Sequence, residues 1–132
     1  ITAIDTPVPW PTIPAMLADI LVRHAQRTAI VDGDTHVTYA ELEQHMHRVA
    51  SGLRAWHLAP GDVVALWAPN CWQWVVSAAA CWWCGFTVVP IPGRGRILDA
   101  LPILQATRAR LLFTGFGASG GSLPVGDAGH LT

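Results

Sequence analysis

One long uncharged stretch, Val63–Pro92, constrains the fold of this chain more than any other feature of its sequence. No acidic or basic residue lies between Asp62 and Arg94, and five of the seven tryptophans fall inside the stretch. A segment of this composition cannot face water along its length. It therefore either spans a membrane or forms the core of an α/β domain.

The interruptions in this stretch argue against a membrane span, although an apolar run of about 18 residues or more passes the length test. Pro69-Asn70, Gly85, Pro90 and Pro92 break the run into pieces. The helix that fits between the first two breaks would reach roughly 20 Å at about 1.5 Å per residue, short of a hydrocarbon core of about 30 Å. We favour a buried strand–helix–strand unit; a small membrane-associated protein stays an alternative.

The two pieces that flank this helix have the composition of buried strands. Val63–Trp67 and Phe86–Val89 are short, apolar, rich in β-branched or aromatic residues and bounded by glycine or proline. Such runs are typical of strands covered on both faces in a parallel sheet. The pattern predicts Asn70 as the N-cap of the intervening helix and Gly85 as the residue that ends it.

The first half of the chain carries clear helix and turn signals. Thr12 predicts the cap of a helix that begins at Ile13-Pro14 and ends near Ala25–Arg27. Asp32-Gly33-Asp34 predicts a hairpin turn between two short strands. Thr38 and Glu41 have the spacing of a capping box at the start of a second helix. Its predicted buried stripe is Leu42, Met46, Val49, Leu53 and Trp56.

After the uncharged stretch, Ile97–Thr107 predicts a helix that Pro102 kinks, and Leu111–Phe113 predicts a last strand. Strands that alternate with helices predict the fold class: an α/β protein with a layered, mainly parallel sheet. We divide the chain into an extended lead-in at residues 1–11, an α/β subdomain at residues 12–114, and a flexible end, rich in glycine and serine, at residues 115–132.

Charge and composition exclude several function classes. The net charge is −1, so nothing indicates a nucleic-acid partner. All eight basic residues are arginines, so a Schiff-base lysine or a phosphate-gripping lysine cannot come from this chain. Three cysteines do not form a disulfide framework. Cys81 and Cys84 have redox spacing but lie in the last turn of an apolar helix, where we expect reduced, inert thiols and hence a cytoplasmic protein.

No group of residues predicts a catalytic or metal site. His45 and His47 are two positions apart on a helix and point to nearly opposite sides, so we expect surface residues rather than chelators. The acids of the hairpin turn lack a further calcium-ligand pattern. Two glycine-rich loops, Gly93–Arg96 and Gly117–Ser122, have features that would suit an anion. Both lack the complete phosphate-binding motifs, and we favour plain loops.

Taken together, five blocks resemble the N-terminal end of the adenylate-forming acyl-CoA synthetases. The blocks are Arg27–Asp34, Val37–Leu42, Gly61–Asn70, Trp72–Val76 and Gly85–Ile91. The second and the last look like the first two core motifs of that family, in the right order. The sequence patterns Trp-x-Pro-Asn and Trp-x-Trp-Val-Val most resemble those of bacterial CoA ligases for fatty or steroid-derived acids. The resemblance spans roughly residues 12–113 and implies an incomplete N-terminal portion of the family's sheet domain.

The resemblance implies a reaction for the full-length family. A carboxylate and ATP give an acyl-adenylate and pyrophosphate, and the thiol of CoA then displaces AMP, with Mg²⁺ required. The family's lysine-containing phosphate loop, its adenine and ribose motifs, its hinge aspartate and its catalytic lysine have no counterpart in these 132 residues. No catalytic, cofactor-binding or metal-binding residue is therefore assigned to this chain, and none of the three cofactors is expected to bind it alone.

Two departures concern residues within the matched part. Pro92-Gly93 replaces the asparagine or aspartate that the family usually has after the Val-Pro strand. His57 stands where the family usually has glycine, and a left-handed backbone there would cost about 1 kcal/mol. We expect the N-terminal part of a longer ligase, truncated after Thr132, whose partner is the rest of that ligase. The alternative is a non-catalytic fragment that pairs with another subunit.

Overall fold

The computed structural model describes residues 7–115, which form four helices and five strands. In chain order these are α1 Ile13–Arg23, β1 Thr28–Asp32, β2 Thr35–Thr38, α2 Tyr39–Arg54, β3 Val63–Ala68, α3 Trp72–Trp83, β4 Thr87–Pro92, α4 Ile97–Thr107 and β5 Leu111–Thr114. Residues 1–6 of the expected lead-in, the candidate loop at residues 117–122 and the expected flexible end beyond Gly115 lie outside the described residues.

A parallel three-stranded sheet organises the described residues, as the sequence predicts. Its order is β4-β3-β5, with β3 paired in parallel to both neighbours. The strands β1 and β2 form a separate antiparallel hairpin around the predicted turn. The uncharged stretch thus supplies the central strand, the helix α3 and one outer strand, and the fold class is confirmed.

The two faces of β3 bury two different cores because successive side chains of a strand point to opposite faces. Val64 and Leu66 lie in a cluster with the buried faces of α1, α2 and α3. Ala65 and Trp67 lie in a second cluster with α4. All four side chains are 4% exposed or less, so β3 is covered on both faces. The helices therefore form a layer on each side of the sheet.

The predicted caps of the first two helices are confirmed. The Thr12 hydroxyl accepts a hydrogen bond from the Ala15 amide at 3.2 Å. The Thr38 hydroxyl accepts from the Glu41 amide at 3.2 Å, and the Glu41 carboxylate accepts from the Thr38 amide at 2.8 Å. The helix α1 ends at Arg23, two residues before the predicted region, because the backbone of His24 leaves the helical conformation at φ −116° and ψ 22°.

The lead-in contacts α1 through one aromatic side chain. The Trp10 indole N–H donates to the Asp19 carboxylate at 2.9 Å, and Arg23 pairs with the same carboxylate. The hydrogen bond from Trp10 is the largest cause that lowers the pKa of Asp19, ahead of the one from Arg23. Part of the segment before α1 is thus tied to the helix that follows it.

The predicted cap of α3 is wrong, and a distant residue supplies it. The N-cap is Cys71 rather than Asn70, and its side chain makes no capping hydrogen bond. Instead the Asp32 carboxylate, 40 residues earlier, accepts from the Trp72 amide at 2.9 Å. The hairpin therefore provides both a hydrogen-bond acceptor and a negative charge at the N-terminus of the buried helix, where each is stabilising.

Asp32→Ala should lower the free energy of unfolding by about 1–2 kcal/mol, because it removes the side-chain cap of α3. Asp34→Ala in the same turn is the matched control, since Asp34 is exposed and caps no helix, and it should change stability by less than about 0.5 kcal/mol. Urea unfolding of both variants checks this. Equal losses from the two substitutions would mean that the turn, rather than the cap, matters.

Left-handed residues mark the ends of three helices, and they are His57 after α2, Gly85 after α3 and Arg108 after α4. The predicted terminator Gly85 has φ +81°, and the Phe86 amide donates to the Cys81 carbonyl at 2.9 Å while Gly85 donates to Trp82 at 3.0 Å. This is the Schellman arrangement that glycine favours. His57, after α2, has φ 54°. The left-handed backbone considered for His57 is thus confirmed.

His57→Gly should raise the free energy of unfolding by about 1 kcal/mol, because glycine adopts positive φ without a Cβ penalty. His36→Gly is the matched control. His36 is exposed in β2, where glycine weakens a strand, so this substitution should have the opposite sign. Thermal unfolding of the two variants side by side checks the prediction, and a loss of stability in both would contradict it.

One tryptophan of the predicted stripe is not buried. Leu42, Met46 and Leu53 lie in the core, but Trp56 is 61% exposed. The helix α2 ends at Arg54, so Trp56 lies past the last turn, and the helical spacing that placed it on the stripe no longer holds. Ala50 occupies the buried face in addition to the predicted residues.

Candidate functional site at the carboxyl edge of the sheet

The carboxyl edge of the sheet is the place where the topology of this fold would put a ligand. The chain leaves β3 for α3 on one face of the sheet, and it leaves β4 for α4 on the other face. In open α/β sheets, ligands bind in the crevice outside the strand ends where the connections diverge in this way. The crevice here lies between the ends of β3 and β4.

The ends of β3 and β4 pack closely against each other at this edge. The Trp67 indole N–H donates to the Pro92 carbonyl at 3.1 Å and joins the two strand ends. A Cβ added to Gly93 would lie 2.6 Å from the Pro69 nitrogen and 2.7 Å from the Ala68 carbonyl oxygen. Contacts this short mean that Gly93, although exposed to solvent, packs directly against the peptide at the end of the neighbouring strand.

The backbone just after β5 packs equally closely against the end of β3. A Cβ on Gly115, just after β5, would lie 2.5 Å from the Ala68 Cβ and 3.2 Å from Pro69 Cδ. The Gly115 amide also donates to the Trp67 carbonyl at 3.0 Å. Ala68 is thus held between two glycines, one from each neighbouring strand.

The loop at residues 93–96 does not form an anion site among the described residues. The Asp99 carboxylate accepts from the Arg96 amide at 3.1 Å and pairs with the Arg96 guanidinium at 3.4 Å. The N-terminus of α4 therefore has its own negative charge, as α3 has in Asp32. A carboxylate at each helix start repels a second anion. Arg94 is exposed, and the plain-loop interpretation of residues 93–96 stays a prediction.

The two cysteines of the redox spacing have the properties of core thiols. Cys81 is fully buried, and burial, followed by the proximity of Cys84, raises the pKa of its thiol to about 12. Burial also raises the pKa of Cys84, against a smaller lowering by the Arg54 charge. All three cysteines of the chain are unpaired. Thiols with raised pKa are poor nucleophiles, in agreement with the predicted inert pair.

His45 and His47 each pack against a tryptophan of α3 and do not contact each other. The His45 ring lies 5.0 Å from the Trp72 ring, and the His47 ring lies 5.4 Å from Trp83, at the other end of α3. His47 is exposed, as expected, whereas His45 is half-buried. Within residues 7–115, no group of three or more histidine, cysteine or acidic side chains has a metal-binding arrangement.

Comparison with known proteins identifies the class to which this fold belongs. The model of the AMP-binding enzyme family matches residues 17–130. The N-terminal subdomain of NpsA from Klebsiella oxytoca, solved in complex with anthranilyl-AMSN, superposes with a TM-score of 0.75 at 24% identity, over 78% of this chain and 27% of that one. The N-terminal domain of FACL13 from Mycobacterium tuberculosis superposes with a TM-score of 0.73 at 27% identity, over 79% and 27%.

Curated relatives carry CoA ligase names. The chain is 36% identical over 101 residues to the 3-[(3aS,4S,7aS)-7a-methyl-1,5-dioxo-octahydro-1H-inden-4-yl]propanoyl:CoA ligase of Rhodococcus jostii. The matched residues make up 76% of this chain and 20% of that protein. It is 39% identical over 82 residues to a feruloyl-CoA synthase of an Amycolatopsis species, covering 62% and 16%.

The chain belongs to the AMP-binding enzyme family. Within it, the chain corresponds to the N-terminal part of an acyl-CoA ligase, and it spans about a fifth of the length of the curated ligases of Rhodococcus jostii and Mycobacterium tuberculosis that it matches. The predicted resemblance and the predicted incomplete sheet domain are confirmed. In the part of the chain that the structure describes, no helix is long and apolar enough to cross a membrane.

Proposed function

We propose that this chain is the N-terminal structural part of an ATP-dependent acyl-CoA ligase and is inactive by itself. In the complete reaction, a carboxylate oxygen bonds to the α-phosphorus of ATP as pyrophosphate leaves. The CoA sulfur then bonds to the acyl carbon as AMP leaves, and the thiol proton is released. ATP, Mg²⁺ and CoA belong to the complete ligase, and this chain contributes the scaffold beside which their site is built.

The carboxylates at the helix starts beside the carboxyl edge are the observation that carries this proposal. Asp32 and Asp99 occupy the helix starts that would otherwise attract phosphate, and Gly93 packs closely against the end of β3. The chain has no lysine, so it offers no lysine ammonium to the phosphates of ATP or to an acyl-adenylate. These features suit a supporting layer and do not suit a nucleotide site.

The substrate class we propose is a bulky, mainly apolar carboxylic acid, fatty or steroid-derived. The support comes from the relatives: the Rhodococcus jostii protein is named for a propanoyl group on a fused two-ring system, and it is more similar to this chain than the feruloyl-CoA synthase by extent of match. We place the reaction in the cytoplasm, because three unpaired thiols suit a reducing compartment.

Isotope exchange between pyrophosphate and ATP tests the proposal on the chain as it stands. With fatty and steroid-derived acids and Mg²⁺, we expect no exchange above the buffer control, and no ATP-dependent change in tryptophan fluorescence. The complete Rhodococcus jostii ligase serves as the positive control. Robust exchange by the isolated chain would refute the proposed division of labour between this part and the rest of the ligase.

A second candidate is a non-catalytic module that binds another protein subunit. The observation that favours it is Trp56, which is 61% exposed where most large apolar side chains of this chain are covered. Exposed tryptophans are frequent anchors of protein interfaces. If this second candidate is correct, Trp56→Ser should abolish binding to the other subunit and leave adenylation by a complete ligase unchanged. The first proposal expects the substitution to have no effect on binding to another subunit.

A further inference from the structure

A cavity lies at the amino edge of the sheet, opposite the carboxyl edge described above. Its volume is about 290 Å³, and it is lined by Arg54, Leu58, Trp83, Cys84 and Phe86. These residues come from the last turn of α2, the loop after it, the end of α3 and the position before β4. Small-molecule sites have volumes of about 300–1,000 Å³, so the cavity suits a ligand at the small end of that range.

Three apolar side chains form a preformed wall of this cavity. Phe86 is buried, and Leu58 and Trp83 are half-buried. Leu58 and Trp83 also pack against the core of α1, α2 and α3. The His47 ring meets Trp83 edge to face, with 5.4 Å between the ring centroids. Because other parts of the fold hold these side chains in place, a ligand that contacts them does not have to order them first.

One positive charge acts on the interior of the cavity. Arg54 is exposed, and among the described residues it forms no ion pair. Burial raises the pKa of Cys84, and the Arg54 charge lowers it by a smaller amount. The guanidinium therefore lies close enough to affect a thiol that lines the cavity. None of the other residues that line the cavity is acidic, so the site is complementary to an anion.

The nearby end of α3 does not use the donors of Arg54. The Cys81 carbonyl accepts from the Phe86 amide at 2.9 Å, and the Trp82 carbonyl accepts from the Gly85 amide at 3.0 Å. These carbonyls, the usual acceptors for a basic side chain at a helix C-terminus, are thus already satisfied. The full charge of the guanidinium also exceeds the roughly half unit of negative charge at a helix C-terminus. Arg54 is left to pair with an acceptor from outside.

We propose that this cavity is a binding site for a small aromatic carboxylate. The ring of the ligand lies against Trp83 and Phe86, since aromatic side chains favour aromatic partners. The carboxylate pairs with Arg54, whose planar guanidinium suits both carboxylate oxygens at once. The site lies at the amino edge of the sheet, away from the carboxyl edge, and the proposal does not rest on the proposed function.

Binding of 3-phenylpropanoate to the chain tests the proposal. We expect a dissociation constant of about 1 mM, which a ligand of this size reaches at modest efficiency per atom. At about 10 mM ligand, Tm should rise by about 4 °C, and alkylation of Cys84 by iodoacetamide should slow about tenfold. Mass spectrometry separates the cysteines. Cys71, half-buried at the other end of α3, is the internal control, and its rate should not change.

Two probes and two variants separate the contributions of ring and charge. Acetate lacks the ring and 3-phenylpropanamide lacks the charge, so at equal concentration neither should protect Cys84. Arg54→Gln removes the charge and should weaken binding of 3-phenylpropanoate at least about tenfold. Arg48→Gln is the matched control, because Arg48 is exposed on the same helix and does not line the cavity. Both replaced side chains are exposed, so both variants should fold.

Three results would overturn the assignment. Equal protection of Cys84 by the amide would mean that the carboxylate is not recognised, and equal weakening by Arg54→Gln and Arg48→Gln would mean that only net charge matters. A Cys84 thiol that iodoacetamide does not reach in the free chain would mean that the chain itself fills the cavity. None of these results affects pyrophosphate exchange, so the proposed function is tested separately.

Discussion

Gly93→Ala should lower the free energy of unfolding by about 1–3 kcal/mol, because its Cβ would lie 2.6–2.7 Å from backbone atoms of Ala68 and Pro69. Those atoms belong to the end of the central strand and cannot move aside as a flexible side chain would. The backbone of β3 and β4 must separate, which also lengthens the hydrogen bond from Trp67 to Pro92. Urea unfolding measures the loss of stability. The near-ultraviolet circular dichroism of the tryptophans, Trp67 among them, reports the change in the hydrogen bond.

Gly52→Ala is the matched control for this prediction. A Cβ on Gly52 would meet nothing within 4 Å, and Gly52 lies inside α2, where alanine is favoured over glycine by roughly 0.5–1 kcal/mol. The two substitutions add the same methyl group and should change stability in opposite directions. If Gly93→Ala proved neutral, the strand ends would not be packed as closely as described.

Leu66→Ala should lower the free energy of unfolding by about 2–5 kcal/mol. Leu66 is 1% exposed and lies at the centre of the strand, in the cluster that joins α1, α2 and α3 to the sheet. The substitution leaves a cavity where the helical layer meets the strand. Because domains of this size have only about 5–15 kcal/mol of stability, the variant should be partly unfolded at 37 °C.

Leu98→Ala controls for the loss of a leucine as such. Leu98 is 68% exposed on α4, so its truncation should change the free energy of unfolding by less than about 0.5 kcal/mol. Thermal and urea unfolding of both variants give the comparison. A small effect at Leu66 would show that β3 is not the central strand of the core.

Much of the fold could be predicted because its signals are local. The caps at Thr12 and Thr38, the terminator Gly85 and the breaks in the uncharged stretch each act on neighbouring residues. The helix Ile97–Thr107 was predicted to the residue, since the glycine-rich loop before it and the strand soon after it leave little freedom. The parallel arrangement then followed from the alternation of strands and helices.

The errors have a common cause, which is that tertiary contacts overrode local preferences. Asn70 has a better capping side chain than Cys71, but Asp32 reaches the Trp72 amide from the hairpin, and no spacing in the sequence shows this contact. Trp56 matched the helical period, but α2 ended first. The close packing of Gly93 was likewise invisible, although proline and glycine in place of the family's usual residues pointed to that loop.

Acyl-CoA formation by a chimeric ligase tests the central claim most directly. In it, residues 17–113 of this chain replace the matching segment of the Rhodococcus jostii ligase, and all of the family's ATP-binding motifs come from that ligase. If this chain supplies a structural layer and no reacting group, a folded chimera should convert its carboxylic acid, ATP and CoA to the acyl-CoA at a rate within about tenfold of the parent, equivalent to less than about 1.4 kcal/mol of barrier. A folded chimera that binds ATP but forms no acyl-adenylate would contradict the account.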